Sequence, residues 1–363
     1  MNKAKLHIIE QTLENEAGHC LSFISSLSSV AVYQLITVWC GRKASISLPD
    51  NFKIKKFFYR KLRRLQSIWL YRKLLLTEDS IFISTASRID LMLIDLAANK
   101  PIPPDKVYLY IHWFDFTWGK RAHIKKIAER QPEIIILTSS FFLSGEFKKA
   151  GFTHSEYVPY PITPRDINSI NSDPTEFRHV LFAGAARSDK GFSKVVDLIE
   201  QLCANNEQIP VLIQSSPEHY NKYDKQTKLD ILRLDKCNYP FLENRITTLP
   251  KQQYYEMFNG GISLQLYSQD DFADRISGVT LDALSFGCPI IATSGTWIAG
   301  IVTKYNAGIV LDVSSPDHIL IALRKIIKDY EKYQQNAFKA GRDLQIKHHP
   351  QILVNRLFEN HIP

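Results

Sequence analysis

Cysteine is scarce in this chain, and none of it is grouped. The five residues, Cys20, Cys40, Cys203, Cys237 and Cys288, form no CxxC pair. Scattered single thiols read as buried free cysteines in a reducing compartment, rather than as disulfides or a zinc site. Long apolar runs are also missing. No segment reaches the ~18 uninterrupted apolar residues of a membrane span. The longest candidate, within SSVAVYQLITVW, is short and polar-flanked, and reads as a helix end running into a buried strand. The opening residues MNKAKLHIIEQ lack the apolar core and small-residue cleavage site of a secretory signal, so a cytoplasmic protein is expected. No GxGxxG follows the first apolar run, which leaves little support for nicotinamide chemistry. There is no short-period repeat and no low-complexity tract.

What is present is alternation. Short apolar runs, KLHIIE, YQLITVW, SIFISTA, KVYLYIHW and EIIILTS in the first half, then HVLFAG, PVLIQS, ISLQLYS, PIIATS and AGIVLDV, are mostly followed by amphipathic stretches. Alternating strand and helix predicts an α/β protein with parallel sheets and right-handed crossovers. The length of 363 residues suits two domains better than one. Apolar periodicity lapses in YPITPRDINSINSDPTEF, so domains over 1–165 and 176–347 are expected. Helix punctuation is clear in the second half. Phe192, Val195, Val196, Ile199 and Leu202 share one helical face after Gly191. Ser315 with Pro316 and Asp317 starts a helix that HILIALRKIIKDYEKY continues, and Gly287 with Pro289 stops one.

The formal net charge of +8 favours an anionic partner, whether nucleotide, nucleic acid or anionic lipid, without choosing among them. Two segments narrow the choice. In HVLFAGAARSDKGFSKVV a strand runs to Gly184, a loop carries Arg187 and Lys190, and Gly191 opens a helix. Parallel α/β sheets bind ligands at the carboxyl ends of their strands, and two cations in a glycine-flanked loop there suit a diphosphate. A solvated basic turn is the plainer alternative. In QDDFADRISGVTLDALSFGCPIIATSG, Asp274 and Asp282 have seven residues between them. Ser277 is a plausible N-cap, Gly278 admits close approach, and the amides up to Val279 face a helix start where phosphate oxygens bind. Acids eight positions apart on a helix lie ~12 Å apart along its axis, so a diphosphate at the helix start would have one carboxylate for each set of flanking hydroxyls. Taken alone, the acids read equally as a solvated loop before a core helix.

DRISGVTLDALSFGCPIIAT resembles the donor-binding motif of retaining glycosyltransferases of the GT-B fold, the family 4 type, and GAARSDKG resembles the same family's glycine, arginine and lysine loop. Gly184, Lys190 and Gly191 match in place. Aspartates stand at 274 and 282 where the family has glutamates, which shortens their reach by one methylene. Ala185 stands where its loop arginine sits, with Arg187 two positions on as the substitute cation. In the first half, LENEAGHCLSFISSL, with Gly18, resembles the family's glycine-containing loop and first helix. His112 in YIHWFDF falls at a strand end where many members have a histidine close to the donor sugar.

The resemblance implies two Rossmann-like domains with the donor cleft between them, and residues 348–363 crossing back onto the first. It implies transfer of a sugar from a nucleotide-diphosphate sugar to an acceptor hydroxyl with retained anomeric configuration, in cell-surface polysaccharide or glycolipid synthesis. No metal or other cofactor is implied. Lys190, Arg187 and the amides from Ser277 to Val279 would hold the leaving diphosphate, with Gly18 and Gly184 beside it. Asp282 would bind the ribose, and Asp274 and His112 the transferring sugar. The acceptor would be a glycan or lipid-linked. A nucleotide-sugar epimerase on the same fold, a basic nucleic-acid-binding protein and a catalytically silent partner subunit remain alternatives, although no RNA-binding motif is visible. Residues 53–76 add a surface expectation. They carry nine cations as far as Lys73, and Ile54, Phe58, Leu62, Leu65 and Trp69 recur at three to four residues, the pattern of a helix lying on an anionic membrane. His348 and His349 are expected at the surface before a last helix.

Overall fold

The computed structural model describes residues 5–14, 19–165, 175–215, 223–247 and 249–359. The chain divides into two compact units, Met1–Pro164 with Lys347–Pro363, and Arg165–Ile346. Much of the linker stretch around 166–174, and Gly18, lie outside the described residues.

The first unit is built on seven parallel strands: β1 (Lys5–Ile9), β2 (Leu35–Gly41), β3 (Phe52–Phe58), β4 (Ser80–Ile83), β5 (Val107–Ile111), β6 (Ile135–Thr138) and β7 (Ser155–Tyr157). Their order is β3-β2-β1-β4-β5-β6-β7, so the winding reverses between β1 and β4. Side chains alternate between two cores, as the two-residue period of a strand demands. Ile81, Ile83, Val107, Leu109 and Ile111 enter one core, packed by helices such as Arg63–Leu75 and Arg88–Ala97. Phe82, Tyr108 and Tyr110 enter the other, with helices His19–Ser28 and Gln351–Phe358. A sheet covered on both faces explains why β4, β5 and β6 read as continuous apolar runs.

The second unit has six parallel strands: β8 (His179–Phe182), β9 (Val211–Gln214), β10 (Leu242–Arg245), β11 (Gly261–Gln265), β12 (Ile290–Thr293) and β13 (Gly308–Leu311). Their order is β10-β9-β8-β11-β12-β13, reversing between β8 and β11. Helix Phe192–Ala204 buries Phe192, Val195, Val196, Ile199 and Leu202 against it.

Three expectations need correction. Residues 52–58 are not the start of a helix but the edge strand β3, in which Lys53, Lys55 and Lys56 are exposed and Phe58 is buried. Edge lysines are a common device against unwanted pairing, and helix begins only at Arg63. The helix from Pro316 stops at Lys328, and a second runs Tyr330–Lys347. Tyr330 and Tyr333 thereby join the core, and the Tyr330 hydroxyl donates to the Gly261 carbonyl at 2.9 Å. His348 is buried rather than exposed. Its Nδ1–H donates to the Tyr160 carbonyl at 2.8 Å, and burial pushes its pKa down to about 4.

All five cysteines are free thiols, and burial pushes those of Cys20 and Cys40 up to about 12 and about 11. Among the described residues, no helix is long and apolar enough to cross a membrane.

Candidate functional site

The winding reversal in the second unit makes a crevice at the carboxyl ends of β8 and β11, the usual ligand position in such sheets. Gly184 lies just past β8 with φ +96°, and its amide donates to Gln214 Oε1 at 3.1 Å. A Cβ on Gly184 would stand 3.2 Å from Lys190 Nζ and 3.5 Å from Val279 Cγ2. The two sequence segments therefore meet at this glycine. Lys190 ends a short 3-10 turn, Ser188–Lys190, and Gly191 follows with φ +74°. The Lys190 ammonium lies 5.6 Å from the centre of the Tyr267 ring, just beyond β11.

The charge around Lys190 is concentrated. Burial first, then the nearby guanidinium groups of Arg187 and Arg275, push its pKa down to about 8, against the opposing pull of Asp189. Arg187 is gripped by Asp189, with Nε donating to Oδ1 at 2.7 Å. Arg275 packs its guanidinium 5.0 Å from the Phe272 ring centre, and burial and Arg187 lower its pKa. Three cations thus share one neighbourhood with one closely paired acid. Asp189 favours the charge on Arg187, whereas the charges on Lys190 and Arg275 are disfavoured, and an anion beside them relieves that.

The helix Gly278–Ser285 points its start at the same place. Ser277 caps it, accepting from the Thr280 amide at 3.4 Å, and the Thr280 hydroxyl donates to Gln265 Oε1 at 2.5 Å. These buried bonds tie the helix start to the end of β11. Gly278 has open space where a Cβ would lie. Its amide and that of Val279 precede the first amides bonded within the helix, and such positions favour anions. Asp274 is exposed in the turn before Ser277. Asp282 is on the same helix, one turn in. Arg165 Nη2 approaches its Oδ1 at 3.5 Å, and the Tyr254 hydroxyl donates to its Oδ2 at 3.2 Å. The Arg165 guanidinium also lies 4.1 Å from the Tyr255 ring centre and 4.2 Å from that of Phe286.

The structure therefore gathers Gly184, Arg187, Lys190, Ser277, Gly278 and Val279, and adds Arg275, Tyr267, Arg165 and Tyr254, which sequence reasoning missed. Arg275 had a readable signal, because it directly follows Asp274 inside the motif. Arg165 had none, since its partner is more than a hundred positions away.

His112 belongs to the first unit, immediately after β5. Its Nε2–H donates to the Ser84 carbonyl at 3.0 Å, and its own carbonyl accepts from the Ser139 hydroxyl at 3.1 Å. Phe23, Tyr110 and Tyr160 surround the ring with centroids at 5.7, 4.9 and 5.3 Å. The orientation is fixed by packing as well as by bonding. Among the described residues, no three His, Cys, Asp or Glu side chains are grouped as a metal site requires.

No protein-family model matches the sequence, and no curated protein matches it. Solved structures do match its fold. HepE from Anabaena, in complex with UDP-glucose, superposes with a TM-score of 0.69 at 13% identity, over 98% of this chain and 99% of that one. Sucrose-phosphate synthase from Thermosynechococcus elongatus gives 0.69 at 12% identity, over 99% of each chain. WaaG, a glycosyltransferase involved in lipopolysaccharide biosynthesis, gives 0.66 at 13% identity, over 97% of this chain and 99% of that one. These structures have the GT-B fold, built of two parallel α/β units, and that is the fold of this chain.

Proposed function

We propose that the protein is a cytoplasmic, metal-independent glycosyltransferase that moves a sugar from a nucleotide-diphosphate sugar to an acceptor hydroxyl with retained configuration. One observation carries this reading. Arg187, Lys190 and Arg275 converge with the start of helix Gly278–Ser285 at the carboxyl ends of β8 and β11. That arrangement suits a diphosphate leaving group. HepE, similar in fold, has been seen with UDP-glucose, a donor of this class.

In the reaction, the bond between the anomeric carbon and the β-phosphate oxygen breaks. Its electrons stay on the phosphate, the acceptor oxygen bonds the carbon, and the proton of the acceptor hydroxyl passes to the leaving phosphate. Lys190, Arg187 and the amides of Gly278 and Val279 stabilise the growing charge, and preorganised donors of this kind contribute about 3 kcal/mol each. Asp282, held by Arg165 and Tyr254, accepts from the ribose hydroxyls. Asp274 and His112 bind the transferring sugar.

Calorimetric titration with uridine, guanosine and adenosine diphosphate sugars tests the donor. Binding of none of them would end the reading. His112→Ala is expected to lower turnover by about tenfold or more while leaving donor affinity within about threefold, since its role is with the reacting sugar. Steady-state kinetics alongside titration checks this. Unchanged turnover would leave His112 as packing alone.

The acceptor belongs to cell-surface polysaccharide or glycolipid synthesis, and the first unit docks on an anionic membrane that carries it. In support, helix Arg63–Leu75 and its flanks expose Leu62, Leu65, Trp69 and Leu76 together with Lys61, Arg64, Arg72 and Lys73. The Lys73 ammonium lies 5.5 Å from the Trp69 ring centre, and β3 adds three exposed lysines beside this stretch. Each cation near an anionic leaflet is worth about 1 kcal/mol. Vesicle co-sedimentation is expected to require anionic lipid, to weaken with salt, and to drop when Lys55, Lys56, Lys61 and Arg72 become Glu. Equal sedimentation with neutral vesicles, or none with either, contradicts docking.

A further inference from the structure

The outer strands of the two sheets are finished differently. β3 carries exposed lysines, β7 is three residues long, and β13 has no charged residue. β10, with one residue on either side, reads Phe241, Leu242, Glu243, Asn244, Arg245, Ile246. Outward from Asn244 its chemistry is symmetric: an acid and a base one position away, then an aliphatic residue on each side. β9 occupies one side of the strand. The Val211 amide donates to the Phe241 carbonyl at 2.9 Å, and the Ser215 amide to the Arg245 carbonyl at 3.1 Å. Odd-numbered residues therefore turn their backbone groups to β9, and Leu242, Asn244 and Ile246 turn theirs outward. Among the described residues no strand meets that side, and a bare edge is a template for another strand.

Side chains sort by face with the same period. Leu242 packs against the core that Leu234 of helix Lys225–Lys236 also enters. On that helix Asp230 accepts from the Ser193 hydroxyl of the neighbouring helix Phe192–Ala204. Leu232 lies round the far side of the turn from Asp230, away from that neighbour and toward the open edge. It is 49% exposed, and Ile246 is 54% exposed. On the other face of the sheet Phe241, Glu243 and Arg245 border a cavity of about 440 Å³. There Arg245 Nε donates to Glu243 Oε1 at 2.6 Å. The edge thus has an apolar side and a charged side.

We propose that β10 pairs antiparallel with β10 of a second copy of this chain, about a two-fold axis at Asn244, so that the dimer shares one continuous sheet. This register sets Asn244 against itself and Leu242 against Ile246 as hydrogen-bonded pairs, and these are the residues whose backbone groups face outward. The Asn244 amides and carbonyls exchange bonds. The Ile246 amide donates to the Leu242 carbonyl of the second copy, while the Leu242 amide stays with the Tyr239 carbonyl at 3.2 Å. Glu243 falls opposite Arg245 of the second copy in a non-hydrogen-bonded pair, where side chains stand closest. Each carboxylate exchanges an arginine of its own strand for one across the axis. Leu232, Leu242 and Ile246 of both copies form an apolar seam on the helix side, self-complementary as a two-fold interface must be. Sliding the pairing by two residues sets Glu243 against Glu243, or Arg245 against Arg245, so charge fixes the register. The pairing does not depend on the chemistry proposed for the donor site.

Sedimentation velocity on the whole protein, from about 1 to 100 μM, is expected to show monomer and dimer in equilibrium. Glu243→Arg and Arg245→Glu each turn both cross-strand pairs from opposite to like charge. Each is expected to raise the dissociation constant at least about tenfold. Mixed in equal amounts, the two variants are expected to form a dimer of the parent's affinity, because each meets its opposite charge in the other. Circular dichroism verifies folding. Ile246→Lys, at a position already exposed in the single chain, is expected to weaken the dimer as well and serves if either charge variant does not fold. A parent that stays monomeric throughout, a dimer that no folded variant weakens, or two folded charge variants that do not recover on mixing would each overturn the pairing.

Discussion

Replacing Lys190 with Met is expected to weaken nucleotide-sugar binding by about 30- to 150-fold, the ~2–3 kcal/mol that hydrogen bonds to a charged group contribute. The variant is expected to be at least as stable as the parent without ligand. The sign follows from the lowered pKa, about 8 against an ordinary lysine value of 10.5. Below about pH 8 the ammonium is charged in the folded and the unfolded chain alike, and only the folded chain carries the cost of enclosing it. Between there and 10.5 the unfolded chain holds more protons, so the parent gains stability as pH rises, and above 10.5 the difference is gone. The advantage of Lys190→Met is therefore greatest below pH 8 and shrinks above it. Donor affinity runs the other way in the parent, falling as pH rises past about 8, because the bound diphosphate requires the proton. Titration calorimetry at several pH values, with thermal melts of both proteins, checks all three statements. A variant that binds like the parent removes Lys190 from the site. Asp282→Ala is expected to weaken binding as well, but less, because Arg165 and Tyr254 then lose a partner and reach other oxygens.

A large stability effect is expected at Gly191. Its φ of +74° is left-handed, and a Cβ there would lie 2.2 Å from the Leu266 carbonyl oxygen and 2.8 Å from its carbon. Leu266 directly continues β11, so the backbone it meets cannot move without disturbing the sheet. Gly191→Ala is expected to cost about 3 kcal/mol or more, combining left-handed strain with a backbone clash. Gly300 is the control. It lies inside helix Trp297–Tyr305 with nothing within 4 Å of an added Cβ, so Gly300→Ala is expected to add up to about 1 kcal/mol. Urea unfolding measures both. If the two variants unfold alike, the contact with Leu266 is not tight.

The strands that could be read from the sequence share one property, as do those that could not. β1, β2, β4, β5, β6, β8, β9, β11 and β12 stand out because burial makes them apolar runs, and β13, a half-buried edge strand, stands out because it keeps Ile-Val-Leu in succession. The three that were missed, β3, β7 and β10, are all edge strands. β3 alternates lysines with apolar residues, β7 has three residues, and β10 is Leu-Glu-Asn-Arg, because one side of each edge faces water. The donor-site loops were readable through glycine, cation and N-cap spacing, which are local. What was unreadable was pairing at a distance: Arg165 against Asp282, and Tyr160 against His348, whose neighbourhood in the sequence looks polar while its partner lies 188 positions earlier.

The helix Gln351–Phe358 sets an order on the making of the protein. Leu353, Val354, Leu357 and Phe358 belong to the same core as Phe23, Val38 and Tyr110. A ribosome reaches them only after it has finished every residue of the second unit. At about 5–20 residues per second, the first sheet waits on the order of ten seconds or more with one face unsealed. The second unit can fold first although it is encoded later, and nascent chains stalled before Gln351 would offer a chaperone an open apolar face on the half already made.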